Sequence, residues 1–143
     1  MLRYILAILL FGISSSTIER AGIILHHTNT SILFVKSALT GRWSFTKGHR
    51  EPYDLTFRDT AVREVFEEVG FKEGTDYTVD TAGSRLYGRS LYWTGKVTDP
   101  CPIPLLNLSE HSEAAWMTAP ALQSLRKTPD VKAWLKSGAP SIA

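Results

Sequence analysis

The chain carries three glutamates at a spacing that places side chains on one face of an α-helix: Glu64, Glu67 and Glu68. Like charges at i and i+4 repel each other and cost stability, and a bound cation would relieve that repulsion. Mg²⁺ prefers carboxylate oxygens, waters and substrate phosphate oxygens, which such a face can provide. The alternative interpretation is an ordinary solvated helix face. The pattern predicts a magnesium site for chemistry on phosphate chains.

The residues around these glutamates predict a helix from about residue 56 to residue 69. Apolar residues repeat at i, i+3, i+4 and i+7 and predict the stripe that faces the core: Val62, Val65, Phe66 and Val69. Gly70 follows this stripe, and glycine suits the left-handed backbone that often ends a helix. The helix is therefore expected to turn one face to the core and the glutamates to another side.

Short β-rich runs alternate with helical patterns along the rest of the chain. We expect strands at residues 21–25, 31–35, 42–45, 77–86, 90–97 and 113–117, a proline-rich loop at 99–104, and closing helices at 120–127 and 129–136. This order predicts an α/β fold in which a mixed central sheet lies between helices.

The glutamates and their neighbours resemble the signature of the Nudix hydrolases, G-x5-E-x7-R-E-U-x-E-E-x-G-U, where U is aliphatic. The run from Arg63 to Phe71 matches each fixed position of the second half, with an aromatic residue at the last U. Gly48 lies one residue farther from Arg63 than the signature requires, and Asp54 replaces the first glutamate if the extra residue follows it. Loops absorb such insertions more readily than helices or strands do. The resemblance implies a Nudix-like α/β/α sandwich.

The same resemblance implies roles for the residues of the signature. Glu64, Glu67, Glu68 and the carbonyl of Gly48 would hold Mg²⁺, with Mn²⁺ as a substitute. Arg63 would orient a glutamate through a charge-assisted pair. An activated water would attack phosphorus, with either Glu67 or Glu110 as the base.

A second set of residues resembles the asymmetrical diadenosine tetraphosphate hydrolases within this family. The run from Trp43 to Pro52 is similar to their W-x-P-P-K-G-H-x-E-P segment, and the later elements that match are Tyr92-Trp93, Leu108-Ser109-Glu110-His111 and Trp116. The resemblance implies that Lys47 and His49 contact the phosphates and that Tyr92 lies at the nucleotide base. Ala114 stands where a second stacking tyrosine is expected. The expected partner is a nucleotide with a polyphosphate chain.

Two other functions fit parts of the same sequence. The runs around Lys47 and Glu64 also resemble the W-x-F-P-K-G and A-[IV]-R-E-V-x-E-E-x-G-F segments of mRNA decapping enzymes. A catalytically silent Nudix binding module is the other alternative, although the three glutamates are intact. The formal net charge of +2 gives no strong field for nucleic acid, so we expect no stable nucleic-acid partner.

The first residues of the chain differ from the rest. An arginine, an apolar run and three serines make residues 1–18 similar to a signal peptide or anchor, and the alternative is an extension that packs on the domain. The Nudix-like domain is expected to span residues 19–143 and to be a monomer. A membrane partner is expected only if residues 1–18 are an anchor, so the compartment stays open.

Overall fold

A sheet of eight strands forms the centre of residues 18–141, the part of the chain that this computed structural model describes. The strands are β1 (Arg20–His26), β2 (Ile32–Ser37), β3 (Trp43–Ser44), β4 (Thr46–His49), β5 (Tyr77–Val79), β6 (Arg85–Tyr87), β7 (Ser90–Val97) and β8 (His111–Met117). The helices are α1 (Phe57–Val69), α2 (Ala119–Leu122) and α3 (Pro129–Lys136), followed by a 3-10 turn at Ala139–Ser141.

Strand β1 organises the sheet because it pairs with three other strands. It runs parallel to β7, with Ala21 opposite Leu91, and antiparallel to β4, with Ala21 opposite Gly48. It also pairs with β2, which continues the sheet to β3 and β8. Parallel and antiparallel pairs occur together, so the predicted mixed sheet is confirmed.

Helices cover both faces of this sheet. Successive residues of a strand point to opposite sides, so the same strands contribute side chains to a hydrophobic cluster on each face. On one face, residues of β1 and β2 pack with α1: Ala21, Ile23, Leu25, Leu33, Val35, Ala61, Val65 and Val69. On the other face, a second cluster joins the sheet to α2 and α3: Ile24, Ile32, Phe34, Phe45, Tyr92, Leu122, Val131 and Trp134. The α/β/α sandwich expected from the sequence is confirmed.

Helix α1 has defined signals at both ends. Thr56 accepts a hydrogen bond from the Asp59 backbone N–H, and the Asp59 carboxylate accepts one from the Thr56 N–H, which forms a capping box. Gly70 ends the helix at φ 76° and donates to the Phe66 carbonyl. The predicted helix and its glycine cap are therefore present.

The predicted apolar stripe of α1 was wrong at one position. Val65 and Val69 are fully buried, but Phe66 is 51% exposed. Ala61, one turn before Val65, contributes to the core instead. The helix is turned so that a buried polar row at i, i+4 spacing, Thr60, Glu64 and Glu68, lies next to the apolar one.

Two predicted elements are shorter in the structure. The strand predicted at 77–86 is interrupted between β5 and β6, where Gly83 adopts φ 97° and both flanking strands pair separately with β7. The helix predicted at 120–127 ends at Leu122. Beyond it, the backbones of Arg126 and Thr128 hydrogen-bond to Trp43, and this pairing draws the segment away from helical geometry.

Residues 1–17 lie outside the described part, so the predicted roles of segment 1–18 are not addressed there. Within residues 18–141, no helix is both long enough and apolar enough to cross a membrane.

Candidate active site

Strand β4 and helix α1 meet where Gly48 faces Glu64. A Cβ on Gly48 would lie 2.0 Å from the Glu64 carboxyl carbon, so only glycine lets the carboxylate approach the strand this closely. Gly48 is held in register by its pairing with Ala21 of β1. The glycine of the signature therefore serves a close approach between a strand and a helix side chain.

Arg63 lies at the centre of the hydrogen bonds in this region. Its Nη1 donates to Glu64 Oε1 and to Glu67 Oε2, both at 3.0 Å. Its Nη2 donates to the His49 carbonyl at 2.9 Å. Its Nε donates to Asp54 Oδ1 at 3.1 Å, and its Nη2 donates to Asp54 Oδ2 at 2.9 Å. Arg63 thus ties two of the predicted metal ligands to the loop after β4.

Asp54 anchors this arrangement from the loop. It is 5% exposed and also accepts from the Thr60 hydroxyl and the Glu51 N–H, both at 2.9 Å. Hydrogen bonds from Arg63 hold the pKa of Asp54 well below its usual range. The role of Asp54, which the sequence left open, is to hold Arg63 in place from within the loop that carries the extra residue.

Glu64 and Glu68 are buried carboxylates with few partners. Glu68 is 3% exposed; its Oε1 accepts from the Lys47 N–H at 3.3 Å, and its Oε2 accepts no hydrogen bond from the described residues. The nearest cationic candidate is His111, with Nε2 3.8 Å from Glu68 Oε2, but burial lowers the pKa of His111 and favours its neutral form. Burial, together with the charge of Glu64, raises the pKa of Glu68 well above its usual value, and burial likewise raises the pKa of Glu64.

These features fit a divalent cation. An unpaired buried carboxylate oxygen is costly, and a hard cation coordinated there would satisfy it. Among residues 18–141, no three acidic, histidine or cysteine side chains already converge as a complete ligand set. The contacts of Arg63 give a reason, because its Nη1 holds an oxygen of Glu64 and one of Glu67. Mg²⁺ usually takes only one or two carboxylates and completes its shell with waters and phosphates, so an incomplete set suits it.

Two predicted substrate contacts, Lys47 and Tyr92, have polar side-chain ends that hydrogen-bond to Asp130 of α3. Lys47 precedes Gly48 on β4, and its Nζ donates to Asp130 Oδ2 at 2.7 Å, with side-chain exposures of only 14% and 3%. The Tyr92 hydroxyl donates to the same oxygen. Burial would raise the pKa of Asp130, but the Lys47 ammonium outweighs it and the pKa lies below its usual range. Lys47 is thus engaged with α3 rather than left free for a phosphate.

The prediction that Tyr92 stacks on a nucleotide base was wrong for this structure. Its side chain is 2% exposed and packs edge-on against Phe45, with ring centroids 5.1 Å apart. A base needs an open ring face, which a core tyrosine does not offer. The tyrosine hydroxyl instead donates a hydrogen bond to the Asp130 carboxylate.

His49 and Glu110 lie at the open side of the carboxylate cluster. His49 is exposed, and its Nε2 accepts from the Arg20 Nε at 3.2 Å. Glu110 precedes β8 and is also exposed. The structure thus brings both residues to the same opening as Glu67, whose side chain is 48% exposed.

Most of these groups border one cleft of about 690 Å³, a volume in the range of small-molecule sites, whereas Asp54, Tyr92 and Asp130 lie outside its lining. Its lining includes every residue predicted for the site except Tyr92: Lys47, Gly48, His49, Arg63, Glu64, Glu67, Glu68 and Glu110. Sequence reasoning missed others that line it, among them Arg20, Arg42, Tyr53 and His111. Arg20 directly precedes one predicted strand and Arg42 begins another, and only the pairing of those strands reveals that both border the cleft.

The family of the chain follows from a comparison with family models. The model described as the NUDIX domain matches residues 17–137. The chain belongs to the Nudix family. The prediction of a Nudix pyrophosphohydrolase is thereby confirmed. No curated protein sequence shows a significant match.

Solved structures with the same Nudix fold come from several organisms. An Ap4A hydrolase from C. elegans, in a binary complex, is 18% identical with a TM-score of 0.72, covering 87% of this chain and 97% of that one. A Nudix hydrolase from M. smegmatis is 20% identical with a TM-score of 0.65, covering 85% and 83%. An ADP-ribose pyrophosphatase from Streptococcus suis is 15% identical with a TM-score of 0.58, covering 83% and 90%. At these identities the likeness establishes the fold.

Proposed function

We propose that this Nudix hydrolase cleaves dinucleoside polyphosphates of the diadenosine tetraphosphate type, asymmetrically and with a divalent cation. The observation that carries the proposal is the pair of buried carboxylates, Glu64 and Glu68, in a cleft that also presents arginines. Glu68 Oε2 accepts no hydrogen bond from the described residues. Anionic ligands for the cation and cationic groups for the substrate are what a polyphosphate chain requires.

Each group of the cleft has a proposed task. Glu64, Glu67, Glu68 and the Gly48 carbonyl would hold Mg²⁺ or Mn²⁺, which when bound neutralises phosphate charge and acidifies water. Arg63 keeps two of these carboxylates in position. Glu67 and Glu110, two exposed carboxylates of the cleft, are the proposed alternatives for accepting the proton of the attacking water.

The phosphate contacts of this proposal differ from those expected from the sequence. Because Asp130 holds the Lys47 ammonium, the proposed phosphate contacts are Arg20, Arg42 and His49, which line the cleft. Arginine suits this task because its planar guanidinium can bind phosphate oxygens in a bidentate manner. The similarity of fold to an Ap4A hydrolase supports the choice of substrate class.

The test is a product profile with Mg²⁺ on diadenosine tetraphosphate, capped RNA, diphosphoinositol phosphates and nucleotide sugars, separated by ion-exchange chromatography. Asymmetrical cleavage of diadenosine tetraphosphate gives ATP and AMP, whereas symmetrical cleavage gives ADP alone. Glu68→Gln in the same assay controls for contaminating phosphatases. Strong activity on capped RNA with none on diadenosine tetraphosphate would replace the proposal with decapping, and inactivity on all four would favour a binding module.

A further inference from the structure

The cleft does not present Tyr92, the one residue that the sequence predicted for stacking on a base. Tyr92 is buried, and Ala114 has no ring. Among the Phe, Tyr and Trp side chains that line the cleft, Phe45 is fully buried and Tyr53 is 67% exposed. Tyr53 therefore supplies the open aromatic ring of the described cleft.

Tyr53 lies beside the groups proposed for catalysis. The Arg63 guanidinium carbon is 5.4 Å from the centroid of the Tyr53 ring, within the range of a cation–π contact. The same guanidinium donates to Glu64 and Glu67. A base on this ring would thus be a short distance from the carboxylates that serve the phosphate chain.

The backbone that carries Tyr53 is held in a closed turn. The Asp54 N–H donates to the Glu51 carbonyl at 2.9 Å, and the Glu51 N–H donates back to the Asp54 carboxylate at 2.9 Å. Pro52 lies between them, and Arg50 fixes the next carbonyls by donating to Asp54 and Leu55. A ring presented from such a turn loses little conformational entropy when a ligand binds.

We propose that Tyr53 is the stacking platform for one base of the nucleotide substrate. The inference rests on the proposed function and specifies how a nucleoside is recognised there. Stacking on a single aromatic face is tolerant of base identity, since every base has a π-face. Diguanosine tetraphosphate should therefore be accepted alongside diadenosine tetraphosphate.

The experiment compares Tyr53→Ala, Tyr53→Phe and Phe66→Ala with the wild type. Phe66 is the matched control, because its ring is also exposed but does not border the cleft. Steady-state kinetics on diadenosine tetraphosphate give kcat and KM, and equilibrium dialysis with Mg²⁺ gives the affinities for AMP and for inorganic pyrophosphate. The two ligands separate contacts to the base from contacts to the phosphates.

Tyr53→Ala should raise KM and weaken AMP binding about tenfold, with kcat and pyrophosphate affinity within about threefold of the wild type. Tyr53→Phe keeps the ring and should recover most of this loss, and Phe66→Ala should match the wild type. Equal weakening of AMP and pyrophosphate would show that the tyrosine acts only through Arg63, and no weakening of either would also overturn the inference. Failure of the wild type to cleave either dinucleotide would refute the proposed function instead, and AMP dialysis would still test Tyr53 separately.

Discussion

Replacing Glu68 with glutamine is expected to stabilise the metal-free protein while abolishing most of its activity. The carboxylate is 3% exposed, lacks a partner for Oε2, and lies near the charges of Glu64 and Glu110. Glutamine keeps the shape and removes the buried charge with its repulsion from Glu64 and Glu110, while its amide N–H groups retain part of the cost of an unsatisfied polar group, about 1–3 kcal/mol. A net gain of about 1 kcal/mol corresponds to a rise in Tm of roughly 3 °C for a chain of this size.

The pH dependence of this gain has a defined sign. The folded state raises the pKa of Glu68 well above its usual value of 4.5, so the folded protein binds more protons than the unfolded chain at pH values between the two. The stability that Glu68 contributes is therefore complete below about pH 4.5 and is lost as the pH rises through the folded-state pKa. Because glutamine does not titrate, the difference in Tm between variant and wild type should widen as the pH rises.

The assay is thermal unfolding in EDTA from pH 4.5 to 8.5, repeated with increasing Mg²⁺. Wild-type Tm should rise with Mg²⁺, while the variant should respond much less and turn over at least about a hundredfold more slowly. Glu113→Gln is the matched control, since this glutamate is 57% exposed in its pair with Lys36 and should change Tm by no more than about 1 °C. A Glu68→Gln variant that is less stable in EDTA and keeps the full Mg²⁺ response would refute the reasoning.

Three further outcomes are expected. Glu67→Gln should slow turnover by orders of magnitude but change metal-free Tm little, because its side chain is 48% exposed; near-normal kcat in the hydrolysis assay would contradict its assignment as ligand or base. Lys47→Met should lower the free energy of unfolding in urea by about 3–5 kcal/mol, since it leaves Asp130 buried without its cation, whereas a stable variant with a salt-dependent rise in KM would restore the lysine as a phosphate contact. A chain that begins at Glu19 should fold and hydrolyse substrate if the apolar segment of residues 1–18 is a targeting signal. Insolubility of this truncated chain would show that the segment packs on the domain.

Local sequence was sufficient for the helix that carries the carboxylates. Thr56 and Asp59 form the capping box, Gly70 ends the helix, and the spacing of Glu64 and Glu68 puts both on one face. These features depend on contacts within a few residues, so they are encoded in the chain itself. The prediction that Arg63 pairs with a glutamate belongs to the same class, because its partners Glu64 and Glu67 lie on its own helix.

The errors concern side chains whose surroundings come from distant parts of the chain. The rotation of α1 against the sheet exposes Phe66, and periodicity alone does not reveal which edge of an apolar stripe meets the core. Likewise, Asp130 lies 83 residues from Lys47 in the chain, so no local pattern could anticipate their ion pair.

The sequence by itself determined the helix, its glycine cap and the run of carboxylates, and its resemblance to the Nudix signature singled out Gly48. Tertiary structure alone decided which helix each side chain of β4 contacts. Strand alternation turns Gly48 toward α1 and Lys47 toward α3, and the packing of β7 buries Tyr92 beside Asp130. The physical reason is that the surroundings of a side chain come from the helix or strand packed against it. Those elements lie far away in the sequence, so a local motif cannot specify them.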